Sequence, residues 1–230
     1  MKKSNILLIS GFLGIVLLVS AIHISLYAKY KAGDYTIYNE EDDLAADALQ
    51  TFPNIAFVSI RNVPNVNVKF SDVARVEKND DEDLQYSRSG DTLVISTKGG
   101  FDRESISLHE VQVPNNVTMS VFNSSLSLFP SRKPAQSNPV IYLNKSHVRF
   151  SPTETMFQLG HVKIVATDSS SASFQGNTQV NLLEVQLSRS SIEYQDGDFG
   201  QMSIVTDSLS RISLQSKHLL KANIKTIAPQ

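Results

Sequence analysis

A weak internal repeat of about 20 residues, running from Val117 toward the C-terminus, limits what this chain can fold into. One apolar ladder is Met119, Ile141, Ile164, Val185, Ile204 and Ile224, at spacings of 22, 23, 21, 19 and 20 residues. A second is Leu128, Phe150, Phe174, Tyr194 and Leu214, at spacings of 22, 24, 20 and 20. Two residues before each member of the second ladder stands Leu126, Val148, Ala172, Ile192 or Ile212. A two-residue step keeps both side chains on one face of a strand. A polar corner precedes each of these strands: Asn123-Ser124-Ser125, Asn144-Lys145-Ser146, Thr167-Asp168-Ser169-Ser170, Ser188-Arg189-Ser190-Ser191 and Thr206-Asp207-Ser208. A weaker third ladder reads Leu159, Leu182, Phe199 and Leu219.

Two or three short strands per repeat of this length make one rung of a parallel β-helix. Equivalent apolar residues then stack inward at a strand spacing of about 4.8 Å. The pattern predicts an all-β fold, a right-handed parallel β-helix or solenoid of short rungs. A leucine-rich repeat has a similar period, but its fixed Leu and Asn positions are absent. A β-sandwich would also show frequent turn signals, yet it would not require ladders at rung spacing.

Upstream, period-two runs place Val58, Ile60, Val66, Val68, Phe70, Val73 and Val76 in short strands broken by Asn62, Pro64 and Ser71-Asp72. A polar break follows at Asn79 to Asp83. Ser89-Gly90-Asp91 reads as a turn, Thr92 to Ser96 as a strand, and Ile106, Leu108, Val111 and Val113 as another. Alternation between Gly, Asn, Asp and Pro breaks is the strand signal. The β-solenoid domain is thus expected over 52–230, with opening strands over 52–116 and regular rungs over 117–227.

Residues 1–31 have a different character. Ile6 to Ala28 contains no Asp, Glu, Lys or Arg. Its length suits a transmembrane helix, which needs about 20 apolar residues. The run exceeds the apolar region of a cleavable signal peptide and lacks a small-x-small site, which predicts an uncleaved signal anchor spanning the membrane through residues 6–28. Tyr27 and Tyr30 would sit at the interface, and His23 is read as an interfacial side chain. Residues 32–51 read as a linker, with Glu40-Glu41-Asp42-Asp43 as a solvated spacer. The four lysines flanking the apolar segment leave 17 basic against 23 acidic residues beyond residue 31, a net of −6. Nucleic-acid binding relies on Lys and Arg contacts to phosphate, so no nucleic-acid partner is expected.

The chain has no cysteine, which excludes disulfides, thiolate metal sites and Cys nucleophiles. His109, His147, His161 and His218 form no HxH or HExxH pattern, and no metal or cofactor is expected. Asp196-Gly197-Asp198 resembles a fragment of a calcium loop but reads as a turn between rungs. Asp168 and Asp207 occupy equivalent corners, and Glu193 points to the strand face opposite Ile192 and Tyr194. Glycoside hydrolysis needs two carboxylates facing across a cleft, and these do not visibly converge. No GxSxG elbow accompanies the many serines, which are read as hydrogen-bonding to the backbone at turns. No GxGxxG or Walker loop is present. The sequons at Asn116, Asn123 and Asn144 are read as chance matches in a Ser/Asn-rich chain.

The run of strands around Ile60-Arg61-Asn62-Val63 and Val66-Asn67-Val68 comes first, then Asp72 to Glu77. Ser89-Gly90-Asp91-Thr92-Leu93-Val94-Ile95 and the Ser-rich rungs follow. In this order and texture, over roughly residues 52–227, the chain resembles the putative auto-transporter adhesin, head-GIN-domain family of Gram-negative envelope proteins. The resemblance implies an envelope β-solenoid and supplies no active site. The expected function is a membrane-anchored, extracytoplasmic, adhesin-like binding or structural module without catalysis, in the periplasm or outside the cell. Its expected partners are the membrane and envelope polysaccharide or protein. The alternatives are a polysaccharide-active enzyme on a β-helix and a self-assembling envelope scaffold.

Overall fold

The computed structural model describes residues 3–31, 49–77, 84–97, 109–130, 136–151, 156–195 and 197–228. The linker over 32–48 with its acidic run, the polar break at 79–83, Ile106, Leu108 and Asp196 lie outside the described residues, as does the side chain of His109.

The chain divides into two units, residues 1–45 and 46–230. In the first, α1 runs Lys3–Lys31, with Lys29 and Lys31 in its last turn, where cations favour the negative end of the helix dipole. His23 Nδ1 donates to the Val19 carbonyl at 2.9 Å, so the polar ring satisfies itself on its own helix. Lys31 Nζ lies 5.7 Å from the Tyr27 ring centre. Side chains in α1 are described for residues 11–20 and a few beyond; the described residues alone do not make a helix long and apolar enough to cross a membrane.

The second unit is a β-solenoid built of two sheets, with strands numbered along the chain. Sheet A runs, in spatial order, β1 (Leu49–Phe52), β4 (Ala74–Glu77), β7 (His109–Pro114), β3 (Val66–Ser71), β9 (Ser125–Phe129), β11 (His147–Phe150), β13 (Ser171–Phe174), β15 (Ser191–Tyr194) and β17 (Arg211–Leu214). Sheet B runs β18 (Ala222–Thr226), β16 (Asp198–Thr206), β14 (Thr178–Ser188), β12 (Phe157–Thr167), β10 (Val140–Asn144), β8 (Thr118–Phe122), β2 (Phe57–Arg61), β6 (Thr92–Thr97) and β5 (Leu84–Ser89). Each rung passes along sheet B, turns a corner and returns along sheet A. Successive rungs therefore meet in parallel, as from β8 to β18. Among the described residues, antiparallel pairs occur near one end: β1 with β4, β4 with β7, and β5 with β6.

The two main ladders fall in register. Met119, Ile141, Ile164, Val185, Ile204 and Ile224 face one another across sheet B. Leu128, Phe150, Phe174, Tyr194 and Leu214 do so across sheet A. The opening strands join the same ladders, with Val58 opposite Met119 and Val68 opposite Leu128. They stack out of chain order: β6 and β7 lie on one side of β2 and β3, and β8 and β9 on the other.

The third ladder needs correction. Leu159 pairs with Val180, and Val180 with Phe199, and all three are buried. Leu182 instead stands opposite His161 and Gln201. Leu219 is exposed on α2 (Ser216–Leu219). The cause is a bend in the long strands at Gly160, Asn181 and Gly200, which shifts the inward phase by one residue: Leu159 and then Val162 are inward in β12, Val180 and then Leu183 in β14. Asn181 fills the equivalent place in β14, but at Gly200 the neighbouring backbone comes too close for a side chain. A Cβ on Gly200 would stand 2.6 Å from the Asn181 carbonyl oxygen.

An aromatic stack runs through the core. Phe150 and Phe174 are parallel with centroids 4.2 Å apart, and Tyr194 continues the stack 5.0 Å from Phe174. Such pairs contribute roughly 0.5–1.5 kcal/mol beyond area burial. The stack ends on His218 of α2, 5.1 Å from Tyr194 and 4.6 Å from Phe199.

Candidate functional site

The serine corners are built by the fold's own hydrogen bonding. Asn62, Asn123, Lys145, Asp168, Ser169 and Arg189 take positive φ between 47° and 64°, which turns the chain sharply from sheet B to sheet A. Asn and Asp tolerate this region better than most side chains. The next backbone N–H then points along the stack. Val63 N donates to Ser124 Oγ at 3.0 Å, Ser124 N to Ser146 Oγ at 3.2 Å, Ser146 N to Ser170 Oγ at 3.2 Å and Ser190 N to Ser210 Oγ at 3.1 Å. Each of these hydroxyls donates in turn within its own corner, Ser124 to Phe122 O, Ser146 to Asn144 O, Ser170 to Thr167 O and Ser210 to Asp207 Oδ1. Ser124, Ser146, Ser170 and Ser190 are buried. The expected role of corner serines as backbone partners is what the structure displays.

Two of the carboxylates weighed from the sequence, Asp168 and Asp207, are also corner pieces. Asp168 pairs with Arg189 and accepts from Asn144 Nδ2 at 2.7 Å. Asp207 accepts from Ser188 Oγ, Arg189 N, Leu209 N and Ser210 Oγ, and these donors, Ser210 foremost, hold its carboxyl below the usual range. Both residues thus flank Arg189. Asp198 binds Lys221 at 2.9 Å. Glu193 accepts from Gln195 at 2.9 Å.

The histidines are scattered. His147 lies against Ser171 Oγ, and burial and then Arg149 lower its pKa. His161 Nε2 is 3.4 Å from Glu184. His218 is buried, and neither ring nitrogen has a hydrogen-bond partner. Among the described residues, no three His, Asp or Glu side chains gather as a metal site. The sequon asparagines are occupied in side-chain ladders: Asn138 donates to Asn116, Asn123 to Asn62, and Asn144 to Thr167.

What the sequence reading missed is an open depression of about 530 Å³ on the outer face of sheet B. The outward positions of β2 are Phe57, Ser59 and Arg61; of β8, Thr118, Ser120 and Phe122; of β10, Val140, Tyr142 and Asn144. Tyr142 stands between Ser120 and Val165, and Phe122 between Arg61 and Asn144. Ser120 is small and leaves a floor between the two rings. Phe57, Phe122 and Tyr142 are 46%, 43% and 45% exposed. Among the described residues they are the large aromatic side chains that the solenoid leaves in solvent, and they lie on three adjacent strands. Arg61 is the charged member of the lining, and its Nε donates to Ser59 Oγ at 3.1 Å. The available signal was an aromatic residue out of phase with the inward ladder, Tyr142 between Ile141 and Leu143.

No family model matches the sequence. No curated protein matches it. Solved structures do. A putative adhesin from Parabacteroides distasonis is 13% identical, covering 77% of this chain and 74% of its own, with a TM-score of 0.47. A putative adhesin from Parabacteroides merdae is 10% identical, with 77% and 73% covered and a TM-score of 0.44. A putative adhesin from Bacteroides fragilis is 13% identical, with 78% and 96% covered and a TM-score of 0.33.

Proposed function

We propose that this protein is a membrane-anchored, extracytoplasmic, adhesin-like binding module that performs no catalysis. The observation that carries the reading is the aromatic depression on sheet B, a recognition surface held on strands that are hydrogen-bonded on both sides. Rigid scaffolds with a few exposed aromatic and polar side chains are suited to binding. Of the carboxylates considered for catalysis, Asp168 and Asp207 are engaged in corners, and Glu193 stands on β15 with Gln195 as its partner.

In this reading α1 is an uncleaved anchor through residues 6–28. Its 29 residues would span roughly 43 Å at about 1.5 Å each, more than the roughly 30 Å hydrocarbon core. Tyr27 and Lys31 would mark one interface, and the acidic solenoid would stand in the periplasm or outside the cell. The solenoid is taken as right-handed, the sense that parallel crossovers adopt. The test is protease accessibility of a C-terminal epitope on the full chain, with carbonate extraction of the membranes. Retention in the membrane pellet, with cleavage in intact or outer-permeabilised cells, supports the proposal. Release by carbonate, or an epitope protected until the inner membrane is lysed, overturns it.

A further inference from the structure

We infer that the depression on sheet B between Phe122 and Tyr142 is a glycan-binding site. The inference rests on the binding-module reading and names its ligand class. Three features of the surface select this occupant.

The first is position. β2, β8 and β10 are interior strands of sheet B, each paired with a neighbour on both sides. Their backbone groups are committed to the sheet, so an extended peptide cannot add here as a further strand, the mode that needs an edge. The second is pattern. A docked amphipathic helix needs a continuous apolar stripe at helical spacing. Here polar groups interrupt the apolar surface: Phe122 stands between Arg61 and Asn144, and Tyr142 stands between Ser120 and Val165 and diagonal to Thr167. The third is chemistry. A sugar ring has an apolar C–H face and a rim of hydroxyls. It stacks its face on an aromatic ring and exchanges hydrogen bonds around its edge.

The polar groups are ready for that exchange. Asn144 uses its Nδ2 on Thr167 and Asp168, which directs its Oδ1 acceptor elsewhere. Asn62 Oδ1 accepts from Asn123, which leaves its amide nitrogen as donor. Arg61 is fixed through Nε, so its two terminal nitrogens remain for an acceptor, in the fork geometry that suits a carboxylate or vicinal oxygens. Among the described residues the Tyr142 hydroxyl has no protein partner, and its ring supplies both a stacking face and a polar tip. Phe122 and Tyr142 sit on adjacent parallel strands two residues out of step, which sets their positions roughly 8 Å apart, given a strand spacing of about 4.8 Å and a rise of about 3.3 Å per residue. Two successive sugar units of one chain can each take one ring, while Ser120 leaves room beneath them.

The experiment uses the full chain in lipid nanodiscs on an array of immobilised bacterial and host oligosaccharides. Wild type, Tyr142→Ala, Phe122→Ala, Arg61→Gln and the outer-face control Gln186→Ala are compared, with an unfolding curve for each. The inference expects retention of a glycan class by wild type and Gln186→Ala, and at least a tenfold weaker signal for Tyr142→Ala and Phe122→Ala. Arg61→Gln, which keeps the strand and its packing, provides the same test if an aromatic variant fails to fold. A glycan retained equally by the groove variants overturns this site and leaves the binding-module reading intact. No glycan retained, with a specific protein ligand found instead, overturns the glycan assignment alone. Binding of neither removes both.

Discussion

Replacing Ser146 by Ala tests whether the corner serines hold the stack together. Ser146 is 4% exposed, and its Oγ accepts from Ser124 N at 3.2 Å and donates to Asn144 O at 2.7 Å. Alanine removes both bonds without changing the turn. The Ser124 N–H is then left in a site that water does not reach, which costs about 1–3 kcal/mol, and the lost donation adds about 0.5–1.5 kcal/mol. A fall of about 2–4 kcal/mol in unfolding free energy is expected. With a urea dependence of about 1–3 kcal/mol per M, the midpoint should drop by roughly 1–2 M with an unchanged slope. Urea titration of the full chain in a mild detergent, followed by circular dichroism in the β-sheet band, reads this directly. Ser120→Ala, at an exposed position on β8, should stay within about 0.5 kcal/mol of wild type. If Ser146→Ala and Ser120→Ala unfold at the same midpoint, the serine column is not what secures the corner, and the argument from orphaned backbone donors is wrong.

At the bend in sheet B, Gly200→Ala would push a methyl group to within 2.6 Å of the Asn181 carbonyl oxygen; overpacking of this kind costs about 1–3 kcal/mol. At about 2–4 °C per kcal/mol for a domain of this size, thermal melting should fall by several degrees, and an unchanged Tm would refute the close approach. His218 has its pKa lowered by burial first, with Lys217 and Lys221 acting in the same sense and Asp198 against it. A base held below its unfolded value near 6.5 binds more protons when unfolded, so its stabilisation is present above about pH 6.5 and is lost as pH falls below it. Urea midpoints should therefore drop between pH 7.5 and pH 5, and His218→Phe should reduce the drop. His147 retains its share, because it is shifted in the same direction. Asp198 and Asp207 are shifted below 3.8 and act only at more acidic pH, so equal slopes for wild type and His218→Phe would sink the assignment.

Much of the solenoid was legible because its information is local and repeated. A strand face encodes itself in steps of two, and a rung in steps of about 20 residues. The ladders through Ile164 and Phe174 could therefore be placed before any coordinates. The corners were legible as short polar, Ser-rich breaks between strands, whereas the positive φ at Lys145 and Arg189 was not, because neither side chain signals a left-handed backbone. Leu182 misled because a bend at Asn181 shifts the inward phase by one residue, and an apolar residue in a strand does not by itself say which face is inward. The stacking of β6 and β7 on the far side of β2 and β3 was hidden as well, since a period records the rung length and not the order in which rungs are laid down.

The depression between Phe122 and Tyr142 belongs wholly to the tertiary structure. Arg61, Phe122, Tyr142 and Val165 come from four rungs separated by 61, 20 and 23 residues, and they meet only because parallel pairing sets those rungs side by side. Inward positions are constrained by the need to exclude water, and that constraint writes a periodic pattern into the sequence. Outward positions carry no such constraint. What they form together depends on which strands become neighbours, which is decided by the register of long-range hydrogen bonds.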